Sequence, residues 1–201
     1  MLNAVRQEIK GFAYFYYATG GYYYYYAYES ASLFGENFYG LSRNDLRNTF
    51  MHAGIGMLIT TDRGNYDSIK LSRSKEGYGP TMYILAMQDS TARGKGLASD
   101  ERGQTSGEAM RVWYRFLEDS EDPTSNITAF DRDNCDGRGT IDPYSEQPQY
   151  HYYKIKTPTI EVDAEATLNE QVFVHLKKWF DEDEIRGALL DAMNQFFSTG
   201  G

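Results

Sequence analysis

Gly77-Tyr78-Gly79-Pro80-Thr81-Met82-Tyr83-Ile84-Leu85-Ala86-Met87 is the stretch from which the rest of the chain is read. Two glycines and a proline interrupt whatever precedes them. Proline is tolerated at the first helical position because the amide there has no intrahelical partner. From Thr81 to Asp89 the chain carries Met82, Ile84, Leu85, Ala86 and Met87, apolar around most of a helical circumference, which predicts a helix covered on several sides. Gly94 and Gly96 end it. Upstream, Tyr66 to Ser72 alternates, with Ile69 and Leu71 on one side, and reads as a strand. Ala53 to Thr61 is an earlier strand, and the turn Asp62-Arg63-Gly64-Asn65 makes the two a hairpin. Downstream, a short strand, Gly96 to Ser99, runs into Asp100-Glu101-Arg102-Gly103. Thr105 and Glu108 then have capping-box spacing ahead of Ala109, Val112, Trp113 and Phe116 at helical intervals. Strand, glycine turn, helix, strand, helix is the order of an α/β or α+β fold: a central mixed, twisted sheet flanked by helices.

The flanks are less regular. The chain has 18 tyrosines, and ten of them lie between Tyr14 and Tyr39, densest in Tyr22-Tyr23-Tyr24-Tyr25-Tyr26-Ala27-Tyr28. Aromatic residues suit a half-buried pleated surface, and Gly20-Gly21 before the run is a turn signal. Extended, the run places Tyr22, Tyr24, Tyr26 and Tyr28 on one face and Tyr23 and Tyr25 on the other. It serves as an ordinary strand, as a contact surface for another chain, or as a stacking platform for bases. Ala4 to Tyr17 reads as a helix, and Ser42 to Met51 as a second, with Asp45 as the acidic partner of Ser42. Beyond Glu118 the chain is polar and turn-rich, with Ile127 to Phe130 an edge strand and Tyr150 to Ile155 a late strand. Two helices close it, Leu168 to Phe180 and a second announced by Asp181 and Glu184. The expected organisation is a Tyr-rich segment over 1–50 in the same domain as a core over 51–160, then a helical pair over 161–201.

Composition removes several classes. The 201 residues suit one domain, or one with an appendage. Cys135 is the one cysteine, which excludes a disulfide framework and a Cys-rich zinc site. A net charge of −9 argues against direct nucleic-acid binding, which needs clustered Lys and Arg. No run of 18 apolar residues offers a membrane span, and the opening MLNAVRQEIKGF lacks the features of a signal peptide, so a soluble, intracellular protein is expected. Asp131 to Gly137 has oxygen-bearing residues at alternate positions, but Cys135 and Asp142 occupy places where an EF-hand needs Asp/Asn and Glu. His52, His151 and His175 are scattered without zinc-site spacing.

Between a strand and a helix N-terminus, the Gly77-Tyr78-Gly79 turn reads either as an ordinary tight turn or as an anion cradle. Backbone amides there lack partners and the helix dipole favours negative charge. It is neither a Walker A loop nor a full dinucleotide fingerprint.

The stretch from Ser68 to Phe116 resembles the core of the Gcn5-related N-acetyltransferase (GNAT) family. There a strand runs into a Gln/Arg-x-x-Gly-x-Gly/Ala loop, whose amides hold the diphosphate of coenzyme A, and a later helix often begins Asn-x-x-Ala. Here the loop reads Ser74-Lys75-Glu76-Gly77-Tyr78-Gly79, with Arg73 and Lys75 beside Ser74 to supply charge, and the later segment reads Ser106-Gly107-Glu108-Ala109 onward to Trp113-Tyr114. GYGPTMYILAM together with GLASDERGQTSGEAMRVWYRF is also similar to acetyltransferase-like sequences of tailed bacteriophages. The resemblance covers about a quarter of the chain. It implies acetyl-CoA as cofactor, held at Ser74, Lys75, Gly77, Tyr78 and Gly79, and an amine as acceptor. Asp67, Asp100 and Glu101 are the candidate bases. The family's thiolate-protonating tyrosine aligns with Trp113, and Tyr114, about 100° further round the helix, is the candidate acid. The alternative is a catalytically inert protein of the same fold, a phage virion or assembly component whose Tyr-rich surface binds protein partners or further copies of itself. The expected location is the host cytoplasm for the first and the virion for the second.

Overall fold

Phe12–Thr19 (β1) and Tyr22–Glu29 (β2) pair antiparallel across Gly20 and Gly21, whose φ values of 58° and 78° make the two-residue turn that matches strand twist. They open a seven-stranded sheet in a computed structural model that describes residues 12–29, 42–100, 105–132 and 147–157, with 183, 184, 187, 188, 191, 194 and 198. The helix expected over Ala4 to Tyr17 is therefore a strand from Phe12 onward, and residues 4–11 lie outside the described residues. The correction has a tertiary cause: an aromatic stretch of modest helix preference gains a full-length partner across the glycine turn.

Arg43–Ala53 (α1) starts on a reciprocal cap. The Ser42 amide donates to Asp45 Oδ2 at 2.9 Å, and the Asp45 amide donates back to Ser42 Oγ at 3.2 Å. Gly54–Asp62 (β3) and Tyr66–Ser74 (β4) follow as the expected hairpin. Gly79–Ala92 (α2) leads to Gly96–Ala98 (β5), then Gly107–Glu121 (α3), Ile127–Asp131 (β6), a short 3₁₀ turn Pro148–Tyr150 and His151–Ile155 (β7). The sheet order is β1-β2-β3-β4-β5-β7-β6. Among these pairs β4–β5 is parallel and the others antiparallel, as a mixed α+β sheet requires.

The core lies between the sheet and the helices α2 and α3. Tyr25 and Ala27 of β2, Met82, Leu85 and Met87 of α2, Trp113 and Phe116 of α3, and Tyr153 of β7 are all buried within it. Trp113 sits at its centre, 5.4 Å from the Tyr83 ring, 5.6 Å from Phe116 edge-on and 5.5 Å from Tyr153. Helix α2 ends as its glycines predict: the Lys95 amide donates to the Ser90 carbonyl at 2.8 Å and the Gly94 amide to that of Thr91 at 2.9 Å.

Two local expectations shift. The N-cap of α3 is Ser106, whose hydroxyl accepts from the Ala109 amide at 3.2 Å, and not Thr105. Ile69 and Leu71 do not share a side: Ile69 is buried, while Leu71 is 43% exposed. A bulge separates them, because the β3–β4 register steps from Ile59–Leu71 to Thr60–Ile69 and leaves Lys70 as an extra residue. The first closing helix expected over Leu168 to Phe180 lies outside the described residues, as does the segment after Arg132 that contains Cys135. The second closing helix is helical at the seven isolated positions described. Among the described residues no helix is long and apolar enough to cross a membrane.

Candidate functional site

The parallel pair β4–β5 is short. Its register runs through Tyr66–Gly96, Asp67–Leu97 and Ser68–Ala98, where β5 ends while β4 runs on to Ser74. The bulge at Lys70 turns the remainder of β4, since an extra residue bends a strand and increases its twist. Past the end of β5, the Ser99 carbonyl takes side-chain donors, Ser68 Oγ at 3.1 Å and Arg132 Nη2 at 3.2 Å.

Past this pairing lies a wedge, a cavity of about 180 Å³ walled by Ile69 to Ser72 of β4, by Tyr83 of α2, by Asp100 after β5, and by Thr105, Ser106, Ala109 and Trp113 at and after the start of α3. It adjoins a groove of about 520 Å³ that runs past Ser74, Lys75, Gly77, Gly79 and Pro80. Ser72, Tyr83, Ser106 and Ala109 line both and mark the passage between them. Along the groove Arg73, Lys75 and Arg111 set positive charge against Glu76 and Glu108. Tyr78 is the N-cap of α2 and no side chain caps that end; Pro80 has no N–H, so the Gly79 and Thr81 amides are the ones left without an intrahelical acceptor, and Gly79 lines the groove.

The polar groups of the wedge come from β4, from α2 and from Asp100 beyond the end of β5. Lys70, the bulged residue, places Nζ 3.1 Å from Asp100 Oδ1, with the two side chains 32% and 17% exposed. Tyr83, on the second turn of α2, is buried, and its hydroxyl accepts from Ser72 Oγ at 2.9 Å. Burial pushes its phenol above the usual range, against a smaller opposing effect of the Ser72 hydrogen bond.

The chain matches no protein-family model, no curated protein and no solved structure.

Of the cofactor residues expected from sequence, Ser74, Lys75, Gly77 and Gly79 line one groove together, and Tyr78 caps the helix beside them. Asp100 stands in the wedge. Glu101 lies outside the described residues. Asp67 is placed elsewhere: it is fully buried beneath the last turn of α2, where its Oδ2 accepts from Arg93 Nη2 at 2.6 Å and Ser90 Oγ at 2.7 Å. Tyr114 lies on the outer side of α3, 46% exposed, and lines neither cavity, whereas Trp113 walls the wedge. Sequence reasoning passed over Tyr83, Ser72 and Lys70. The available signal was a serine near the end of one strand and a tyrosine four residues past the second glycine of the turn that follows it.

Chemically, the groove carries backbone amides of a helix start and side chains of both charges, and the adjoining wedge a carboxylate, an ammonium and a buried phenol.

Proposed function

We propose that the chain is an acetyl-CoA-dependent N-acyltransferase of the GNAT type acting on an amine. The observation that carries the reading is that β4–β5 pairing ends at Ser68–Ala98 and that beyond it the wedge adjoins the groove at the Gly77–Gly79 turn. Among the described residues no strand pairs with that edge of β4 from Ile69 to Ser74, and an extended ligand laid there has the diphosphate site at one end and the wedge at the other. In this reading the diphosphate accepts hydrogen bonds from the amides at the start of α2, with Lys75 and Arg73 as counter-charge. The pantetheine arm follows β4, and the thioester reaches the passage at Ser72 and Tyr83. An amine approaching from the Asp100 side gives its proton to that carboxylate or to an ordered water. Its lone pair then bonds to the acetyl carbon, the C–S bond breaks, and coenzyme A leaves as a thiolate.

Calorimetric titration with acetyl-CoA tests this, and Gly79→Leu is the discriminating variant. A side chain at Gly79 meets nothing nearer than Ser74 Oγ at 3.6 Å, so the fold accommodates it while the groove is blocked. The expected result is micromolar binding by the parent chain, at least a hundredfold weaker in Gly79→Leu, with unchanged circular dichroism. No heat at millimolar acetyl-CoA overturns the proposal.

The second reading, an inert assembly component, draws on β1. This strand, FAYFYYAT, stands at one end of the sheet order and carries no charged residue or proline, features that commonly protect an edge from pairing with another chain. Under that reading a sizing column shows a large self-assembly, and acetyl-CoA leaves both its elution and its stability unchanged.

A further inference from the structure

We infer that Tyr83 is the proton donor to the leaving thiolate, a role carried by α2 of this chain and not by α3. The inference rests on the acyltransferase reading above. The observations are geometric. Tyr83 is buried at the passage shared by groove and wedge, where the ligand's reactive tail must lie if its head sits at Gly77–Gly79. Ser72 Oγ donates to its hydroxyl at 2.9 Å, which occupies an acceptor site on the phenol and leaves the phenolic proton for another partner. Trp113, 5.4 Å from the Tyr83 ring, has no hydroxyl to offer and serves instead as the wall against which that ring is held. Tyr114 faces away from both cavities. Among the described residues lining the passage, Ser72, Tyr83, Ser106 and Ala109, Tyr83 carries the most acidic proton.

The step balances as follows. As the amine nitrogen bonds to the acetyl carbon and the C–S bond breaks, the sulfur takes the electron pair and the phenolic proton, giving free coenzyme A and a transient tyrosinate. The proton released by the attacking amine, passed through water, restores the phenol.

The test reads the product complex and so needs no knowledge of the acceptor. Coenzyme A bound to the full chain is titrated by thiolate absorbance against the same complex with desulfo-coenzyme A, which cancels the protein's own tyrosines. A hydrogen bond from Tyr83 stabilises the thiolate. The bound thiol is therefore expected to titrate about one pH unit lower in the parent chain than in Tyr83→Phe, a tenfold difference in thiolate population at a given pH. Ser72→Ala, a smaller perturbation, is expected to give an intermediate midpoint. Equal midpoints in the parent, Tyr83→Phe and Ser72→Ala, with coenzyme A still bound, overturn the donor assignment and leave the acyltransferase reading standing. Failure of the parent chain to bind coenzyme A overturns both. Should Tyr83→Phe not fold, an unshifted midpoint in Ser72→Ala overturns the assignment by itself.

Discussion

Arg93→Met is expected to lower the free energy of unfolding by about 3–5 kcal/mol, the range for removing one partner of a buried ion pair. Asp67 is the reason. Its side chain is wholly inaccessible, and its Oδ2 accepts from Arg93 Nη2 at 2.6 Å. The same guanidinium donates to Asp89 Oδ2 from Nε at 3.0 Å and from Nη2 at 2.8 Å, and it lies 4.1 Å over the Tyr23 ring. Tyr25 adds its hydroxyl to Asp89 Oδ2 at 2.7 Å. One side chain thus ties the last turn of α2 to β4 and β2. Without it, two carboxylates are left close together in a site with little water. Lys95, whose Nζ is 4.0 Å from Asp67 Oδ1, relieves part of the cost and places the effect towards the lower end of the range. Urea unfolding measures it. The double variant Arg93→Met with Asp67→Leu is expected to recover at least half of the loss, because it leaves no charge at the Asp67 position uncompensated. A loss below about 1 kcal/mol in the single variant, or a double variant no more stable than the single, sinks this account.

That network also shows what the sequence made legible and what it hid. The Gly77–Gly79 turn, the fully apolar helix after it and the strands on either side were readable because each is a local pattern: a breaker, a period, a cap. Gly94 ends α2 where composition placed the end. Asp67, by contrast, looked like a base for no better reason than its residue type and its place in a strand. Its partner Arg93 lies 26 residues further on, and their meeting depends on α2 folding back over β4. Burial of this carboxylate is a tertiary fact without a sequence signature.

The bulge at Lys70 is the more consequential case. Alternation in Tyr66 to Ser72 was read as unbroken, and a one-residue insertion in the ladder inverts the side of every residue after it. The inserted residue is Lys70, which meets Asp100 in the wedge. A charged residue between Ile69 and Leu71 was the visible hint. Tyr83 was hidden for a related reason: inside a helix apolar on all sides, a tyrosine reads as core, and the bond to Ser72 requires β4 and α2 to be in place. At the other end of the chain, Ala4 to Tyr17 reads as a helix in isolation, and the strand from Phe12 depends on the partner that the Gly20–Gly21 turn supplies.

Three buried phenols set the response of the fold to alkali. Tyr25, Tyr83 and Tyr153 all have their ionisation displaced upward, in each case first by burial, with Asp89 adding to the effect on Tyr25. In the unfolded chain the same phenols titrate near 10. The sign follows from which state holds the protons. Below that pH both states keep the phenols neutral, and the stability is fully present. As pH rises through it, the unfolded chain loses protons that the folded one retains, so unfolding is favoured, and the loss continues until the folded phenols ionise. At pH 11 Tyr25 and Tyr153 each cost about 1.4 kcal/mol, together about 3 kcal/mol, with Tyr83 adding in the same direction, a large share of the 5–15 kcal/mol typical of a domain. The expected observation is a urea midpoint that is flat from pH 8 to 9 and falls steeply above pH 10. In the absorbance titration of the 18 tyrosines, Tyr25 and Tyr153 are expected to titrate only together with the loss of circular dichroism. Tyr25→Phe removes one of them and is expected to flatten the slope, corrected for its own change in stability at neutral pH. Complete, reversible titration of all the tyrosines with the fold intact overturns the assignment of these side chains to the core, and with it the buried position on which the role of Tyr83 depends.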